Sequence, residues 1–193
     1  MSTNQEGPAH DRRQQLVAAG LTTLREQGYA GFTRPRVAAR AGLRQSHITY
    51  DHPTRLDLLA AVGRVAVDRP LAAVDATLAA LHTPEEAARA IAASVTRHEN
   101  TRVLMALVQA GDEEPRLREL VRELADGIAA RGASFLARIG GVPAAEEPAR
   151  FLHALSVGLA VIDLATGRPD GKQRAAGILA TALHLLAGGH RPA

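Results

Sequence analysis

The chain has 193 residues, 46% of them hydrophobic, no cysteine, no tryptophan and a formal net charge of +3. That length supports one domain and a fraction, with enough apolar residues for a sizeable core. The missing cysteines exclude disulfides, thiolate nucleophiles and cysteine-ligated metal sites. The longest apolar runs are broken by charge or glycine, and residues 1–10 are polar with no basic-then-apolar leader. The expected setting is therefore cytoplasmic, with no membrane partner.

Helix signals run the whole length, and alternating strand patterns are absent, so the expected class is all-α with nine helices. The first covers 9–27 and stops at Gly28. The second opens on Thr33, with Phe32 before it and Val37 four positions inside, a cap with a hydrophobic staple. After a turn at Ala41-Gly42-Leu43, a third short helix covers 44–51, because Pro53 disfavours helix at His52. Thr54-Arg55-Leu56-Asp57 reads as a capping box for a long fourth helix, which Pro70 should kink or split. Thr83-Pro84-Glu85-Glu86 starts a fifth helix that runs to about His98. Further helices are expected over 102–110, 115–139, 145–165 and from about 171 to 186, with Gly140-Gly141-Val142-Pro143 as a loop.

The charge is distributed unevenly. Residues 1–55 hold eight arginines against four acids, while residues 56–193 hold fifteen bases against sixteen acids. An excess confined to one end points to a polyanion partner. Arginine is also the better fork for phosphates and base edges.

Residues 33–50 hold two short helices joined by a three-residue turn, with Ala38 small at the crossing and Gly42 free to take positive φ. Val37, Leu43 and Ile48 are the apolar pins. In such a helix-turn-helix the start of the second helix meets base edges in the major groove. Those positions are Arg44, Gln45, Ser46 and His47, and Arg and Gln make the bidentate contacts to guanine and adenine. Thr33, Arg34, Thr54 and Arg55 stand at helix N-termini that suit phosphate, and Tyr50 offers a hydroxyl to the backbone. Asp51 is expected to be paired by Arg55 or His47.

Residues 12–63 resemble the DNA-binding domain of TetR-type transcriptional regulators. The resemblance rests on Gly28-Tyr29-Ala30-Gly31-Phe32-Thr33, on Val37-Ala38-Ala39-Arg40-Ala41-Gly42-Leu43, and on Arg44 to Tyr50 followed by Pro53-Thr54-Arg55 and Leu58-Leu59. Asp51 and His52 depart from the family pattern, in which position 52 is usually a packed aromatic. The resemblance implies a homodimer that binds a palindromic operator in double-stranded DNA and releases it when a small molecule enters the C-terminal domain. The implied division is a helix-turn-helix domain over 1–53 and an effector-binding and dimerisation domain over 54–193.

For the effector pocket the candidates are Met105, Val108, Gln109, Leu124, Ile128, Phe151, Leu155 and Leu159. With two tyrosines and three phenylalanines in the chain, that wall is mainly aliphatic and the expected effector apolar or amphipathic. The eighth helix is apolar almost all round, with His153, Ser156 and Asp163 in one polar arc, and Gly158 allows close approach. These four, with Ile178, Leu179, Leu183 and Leu186 of the ninth helix, are the candidate dimer interface. The histidines show no helical metal spacing, no phosphate-cradling glycine loop exists, and His153-Ser156-Asp163 lacks a strained nucleophile turn. No cofactor and no enzymatic activity are expected. The reading is a ligand-responsive repressor, with the fourth helix as transmitter and operator half-sites one DNA turn, ~34–36 Å, apart. The alternatives are an α-helical enzyme or carrier whose basic end is incidental, and a DNA-binding dimer without effector.

Overall fold

The computed structural model describes residues 6–140 and 146–188, which form nine α-helices and no strand. They are α1 (Glu6–Gly31), α2 (Arg34–Ala41), α3 (Gln45–Asp51), α4 (Arg55–Ala79), α5 (Pro84–Val95), α6 (His98–Ala110), α7 (Pro115–Gly140), α8 (Glu146–Thr166) and α9 (Gly171–Gly188). The all-α expectation and the helix order hold among these residues. Most of the expected loop at 140–143 lies outside them.

Local chemistry accounts for most of the boundaries. Gly28 takes φ 65° and interrupts α1 where the sequence predicts a stop, and one further turn follows it. Thr33 caps α2 through the Arg36 N–H, and Gly42 closes it in the left-handed conformation at φ 66°. Thr83 and Glu86 form a complete capping box on α5. Two expectations need correction. The fifth helix ends at Val95, where Thr96 leaves helical geometry and turns its hydroxyl back to the Ala92 carbonyl, so His98 opens α6 instead. And α4 is not split at Pro70, since its helix runs from Arg55 to Ala79. Pro70 is exposed, which leaves solvent free to satisfy the carbonyl one turn back.

The helices divide into two compact units, one comprising the chain up to Asp68 with Arg102–Val121, the other Arg69–Thr101 with the chain from Arg122. In the first, Phe32, Val37, Ile48, Leu58, Leu59 and Val62 are fully buried, each contributing about 1.5–3 kcal/mol of hydrophobic stabilisation. Gly20 makes room for this packing, since a Cβ there would stand 2.5 Å from Val62 Cγ2. Gly63 does the same on α4, beneath Leu107 and Leu120. In the second unit α5 packs against α9 and α8. Its core is alanine-rich, with Ala88, Ala92 and Ala175 beside Phe135, Leu136, Leu152, Leu179 and Leu183. Small side chains on both α5 and α9 let their backbones come close.

Candidate functional site

The first unit presents α3 by holding its apolar side inward. Ile48 is fully buried, and Leu43 donates its backbone N–H to Ala38 at 3.0 Å, which locks the turn between α2 and α3. Arg44 is the N-cap of α3 in extended conformation, one residue outside the helix that the sequence predicts to include it. Arg44, Gln45 and Ser46 are exposed in succession, and Tyr50 is 90% exposed. His47 belongs to α3, with its side chain outside the described ones. The polar side chains of Arg44, Gln45, Ser46 and Tyr50 thus face away from the core.

Two helix N-termini converge beside α3. Arg34, at the start of α2, donates to the Pro53 carbonyl just before α4. Arg55, at the start of α4, donates to the Phe32 carbonyl at 2.7 Å and the Tyr29 carbonyl at 2.5 Å, with its guanidinium 4.0 Å from the Tyr29 ring centroid. Thr54 gives both its N–H and its hydroxyl to Asp57 Oδ2, at 3.1 and 2.7 Å, and its oxygen accepts from the Asp57 N–H at 3.0 Å. These bonds and the Arg116 guanidinium hold the Asp57 carboxyl down at about 2, with the Thr54 hydroxyl the largest cause. The result is a braced edge on which Thr33, Arg34, Thr54 and Arg55 sit together. Thr54 and Arg55 already have partners inside the protein.

Most of the other arginines at this end are also engaged. Arg40 pairs with Glu26, and Arg36 reaches Gln27 and the Gly31 carbonyl. Asp51 pairs with Arg13 of α1 at 3.5 Å and not with Arg55, while the His47 side chain lies outside the described ones. The reason is geometric, because Arg55 is drawn under the α1–α2 junction. His52 is buried, 8% exposed, and its Nε2 has no partner among the described residues. Desolvation lowers its pKa below the usual 6.5, with Asp51 opposing the shift.

The comparisons fall on the same architecture. No family model matches the chain. Over 114 residues it is 31% identical to the HTH-type transcriptional regulator CymR of Pseudomonas putida, a match spanning 58% of this chain and 56% of that relative's own length. A solved TetR-family member from Streptomyces coelicolor A3 is 27% identical, covers 89% of this chain and 98% of its own, and superposes with a TM-score of 0.67. The chain has the TetR-family fold. A structure described as the multidrug binding protein EbrR complexed with proflavin is also 27% identical, covers 89% and 99%, and has a TM-score of 0.65.

In this TetR-fold chain the second unit places the remaining candidates differently from one another. Leu179 and Leu183, expected at a dimer interface, are fully buried in the unit's own core. Asp163 is held by His98, with Oδ2 2.8 Å from the imidazole Nε2, and the Ser156 hydroxyl bonds back to Leu152 in its own helix at 2.7 Å. Leu179 and Leu183 thus face the unit's own core, and Asp163 and Ser156 each have a hydrogen-bond partner within the subunit. His153 and Leu186 are half-buried, while Gly158 and Ile178 are exposed. Burial lowers the His153 pKa. The exposed apolar residues of α8 and α9 are Phe151, Ile162, Ile178 and Leu185. Among the described helices α8 is also the one long and apolar enough to cross a membrane by length and composition. That departs from the expectation that no segment would be.

Of the pocket candidates, Leu124, Ile128, Leu155 and Leu159 are half-buried in the second unit. Phe151 is exposed on α8, and Met105, Val108 and Gln109 are exposed on α6. The second unit also has two open depressions that the sequence reading missed. One, about 430 Å³, lies between α5 and the start of α9, and the other, about 500 Å³, lies between α4 and α7. In the latter, Arg131 pairs with Asp75, and Arg138 donates to the carbonyls of Leu78 and Leu81.

Proposed function

We propose that the protein is a ligand-responsive, DNA-binding transcriptional regulator, a repressor released from its operator by a small apolar or amphipathic effector. The observation that carries this reading is the pairing of an outward polar segment, Arg44-Gln45-Ser46, with the braced edge made by the N-termini of α2 and α4. Arg44, Gln45, Ser46 and His47 read bases, and Thr33, Arg34 and Tyr50 take phosphates. Thr54 and Arg55 lie on the same phosphate-facing edge, and their inward bonds fix its shape. Residues 1–53 act as the DNA-binding domain and 54–193 as the effector and dimerisation domain. The likeness to a proflavin-bound protein supports a small-molecule effector. The half-buried aliphatic set Leu124, Ile128, Leu155 and Leu159 is the proposed wall for it.

The protein acts as a cytoplasmic homodimer on a palindromic operator, without catalysis or cofactor. Phe151, Ile162, Ile178 and Leu185 supply the apolar face for the second copy, an isologous contact of α8 and α9. The test is selection of bound duplexes from a random pool, followed by gel shift at moderate salt. The expected result is a palindrome, with Arg44→Ala weakening it about 5- to 150-fold, the range of one lost bidentate contact at ~1–3 kcal/mol. Recovery of no enriched sequence, or full affinity in Arg44→Ala, overturns the reading.

A further inference from the structure

We infer that the depression between α5 and the start of α9 is a binding site for a small organic carboxylate, separate from the DNA edge. Its volume is about 430 Å³, within the range of small-molecule sites. The floor is apolar: Ala92, fully buried on α5, Ala176 on α9 and Pro169 of the loop before α9. The rim is cationic, with Arg89 of α5 facing Lys172 of α9, and Gln173 adds an amide. One acid, Asp170, shares the lining.

The charge is unbalanced for a structural reason. Glu85, one turn before Arg89, pairs with His184 at 2.8 Å. Glu86 is held by the backbone N–H groups of His82 and Thr83, and Asp163 by His98. Arg89 acts on the Glu86 carboxylate one turn back without a direct ion pair, and neither Arg89 nor Lys172 has an ion-pair contact within 4 Å among the described residues. Two cations flanking an alanine floor match a carboxylate head on a compact apolar body. Inorganic phosphate would meet the charge and leave the floor empty. A neutral apolar molecule would meet the floor and leave the cations unanswered.

Lys172 is the only lysine in the chain, which makes the site directly observable. Reductive ¹³C-methylation of the full-length protein retains the ammonium charge and labels Lys172 and the α-amine alone, the latter serving as internal control. Titration with benzoate is expected to shift the Lys172 resonance saturably and leave the α-amine signal in place, while benzyl alcohol and phosphate have little effect. Arg89→Gln is expected to weaken benzoate at least fivefold. Ala176→Leu, which fills the floor and keeps every charge, is expected to abolish the saturable shift, with circular dichroism confirming the fold of both variants. Three results overturn the inference: no saturable shift, an equal response to phosphate or chloride, or benzoate binding unchanged in Arg89→Gln. A larger shift with duplex DNA of arbitrary sequence also overturns it, assigning the rim to phosphate backbones. The measurement contains no operator, so its failure leaves the regulator reading standing.

Discussion

Arg116 Nη2 of α7 lies 3.0 Å from Asp57 Oδ1, while the other oxygen of that carboxylate caps Thr54 at the start of α4. A single side chain therefore joins the first turn of α4 to the first turn of α7, and Glu114 holds the same guanidinium at 2.9 Å. Asp57 is the element of the braced edge that reaches beyond the helix-turn-helix.

The ranking of causes at Asp57 gives a first prediction. Its carboxyl is held at about 2, and the Thr54 hydroxyl contributes more than Arg116. Thr54→Ala should raise the Asp57 pKa further than Arg116→Gln does, as read from the carboxyl ¹³C shift. A depressed carboxylate contributes stability that is complete above its ordinary value of 3.8, shrinks as pH falls below it, and is gone once pH has passed through the folded value of about 2. Thr54→Ala should also cost about 1 kcal/mol in denaturant unfolding as a lost cap. An Arg116→Gln shift exceeding that of Thr54→Ala would refute the ordering.

Gly20 tests the closeness of α1 and α4. In an open helix Gly→Ala is favourable by about 1 kcal/mol. Here the added methyl would stand 2.5 Å from Val62 Cγ2 and 3.4 Å from the Phe32 ring, and the β-branched Val62 has little room to turn. Gly20→Ala should destabilise by about 1–3 kcal/mol. Gly20→Ala with Val62→Ala should recover part of the loss in the same melts, and a stabilised single variant would contradict the packing.

The buried His52 and the half-buried His153 shape the response to acid. His52 and His153 both have pKa values lowered by desolvation, so in mild acid the unfolded chain binds protons that the folded chain refuses. Stability from this source is complete above the ordinary value of 6.5 and falls as pH drops through it. Unfolding free energy should decline between pH 7.5 and 5.5, and His52→Phe should flatten that slope. An unchanged slope in the variant would show that the ring takes up protons without cost.

The outward face of α8 and α9 predicts the behaviour in solution. Leu185 is 71% exposed and Ile162 57%, high for large aliphatic side chains in a finished surface. Light scattering should give twice the monomer mass. Ile162→Arg or Leu185→Arg should shift that mass toward the monomer, with helicity unchanged because neither side chain belongs to the core. Leu179→Ala, in contrast, should lower stability by about 2–5 kcal/mol. A monomeric parent protein would remove the proposed interface.

The chain by itself determined what depends on a few adjacent residues. Thr33, Thr54 and Thr83 each cap a helix through groups three positions away, and Gly42 turns the chain where only glycine does so cheaply. The helix order, the buried pins Val37 and Ile48, and the concentration of arginine at one end were legible on the same grounds. What the tertiary structure decided is which neighbour each polar or apolar group meets. Arg55 was legible as a cation at a helix start, yet its guanidinium serves the Phe32 and Tyr29 carbonyls, twenty-three and twenty-six residues back. Asp51 finds Arg13, and Asp163 finds His98, across separations that no local pattern encodes. The leucines of α9 carry the same lesson, because a helix that is apolar on several sides does not declare which side faces its own core. Packing against α5 settled that for Leu179 and Leu183 and left Ile178 and Leu185 outside. The opening excess of positive charge is sharpened accordingly. Much of it braces the helix-turn-helix from within, through Arg34, Arg36, Arg40 and Arg55, while Arg44 stands exposed at the start of α3.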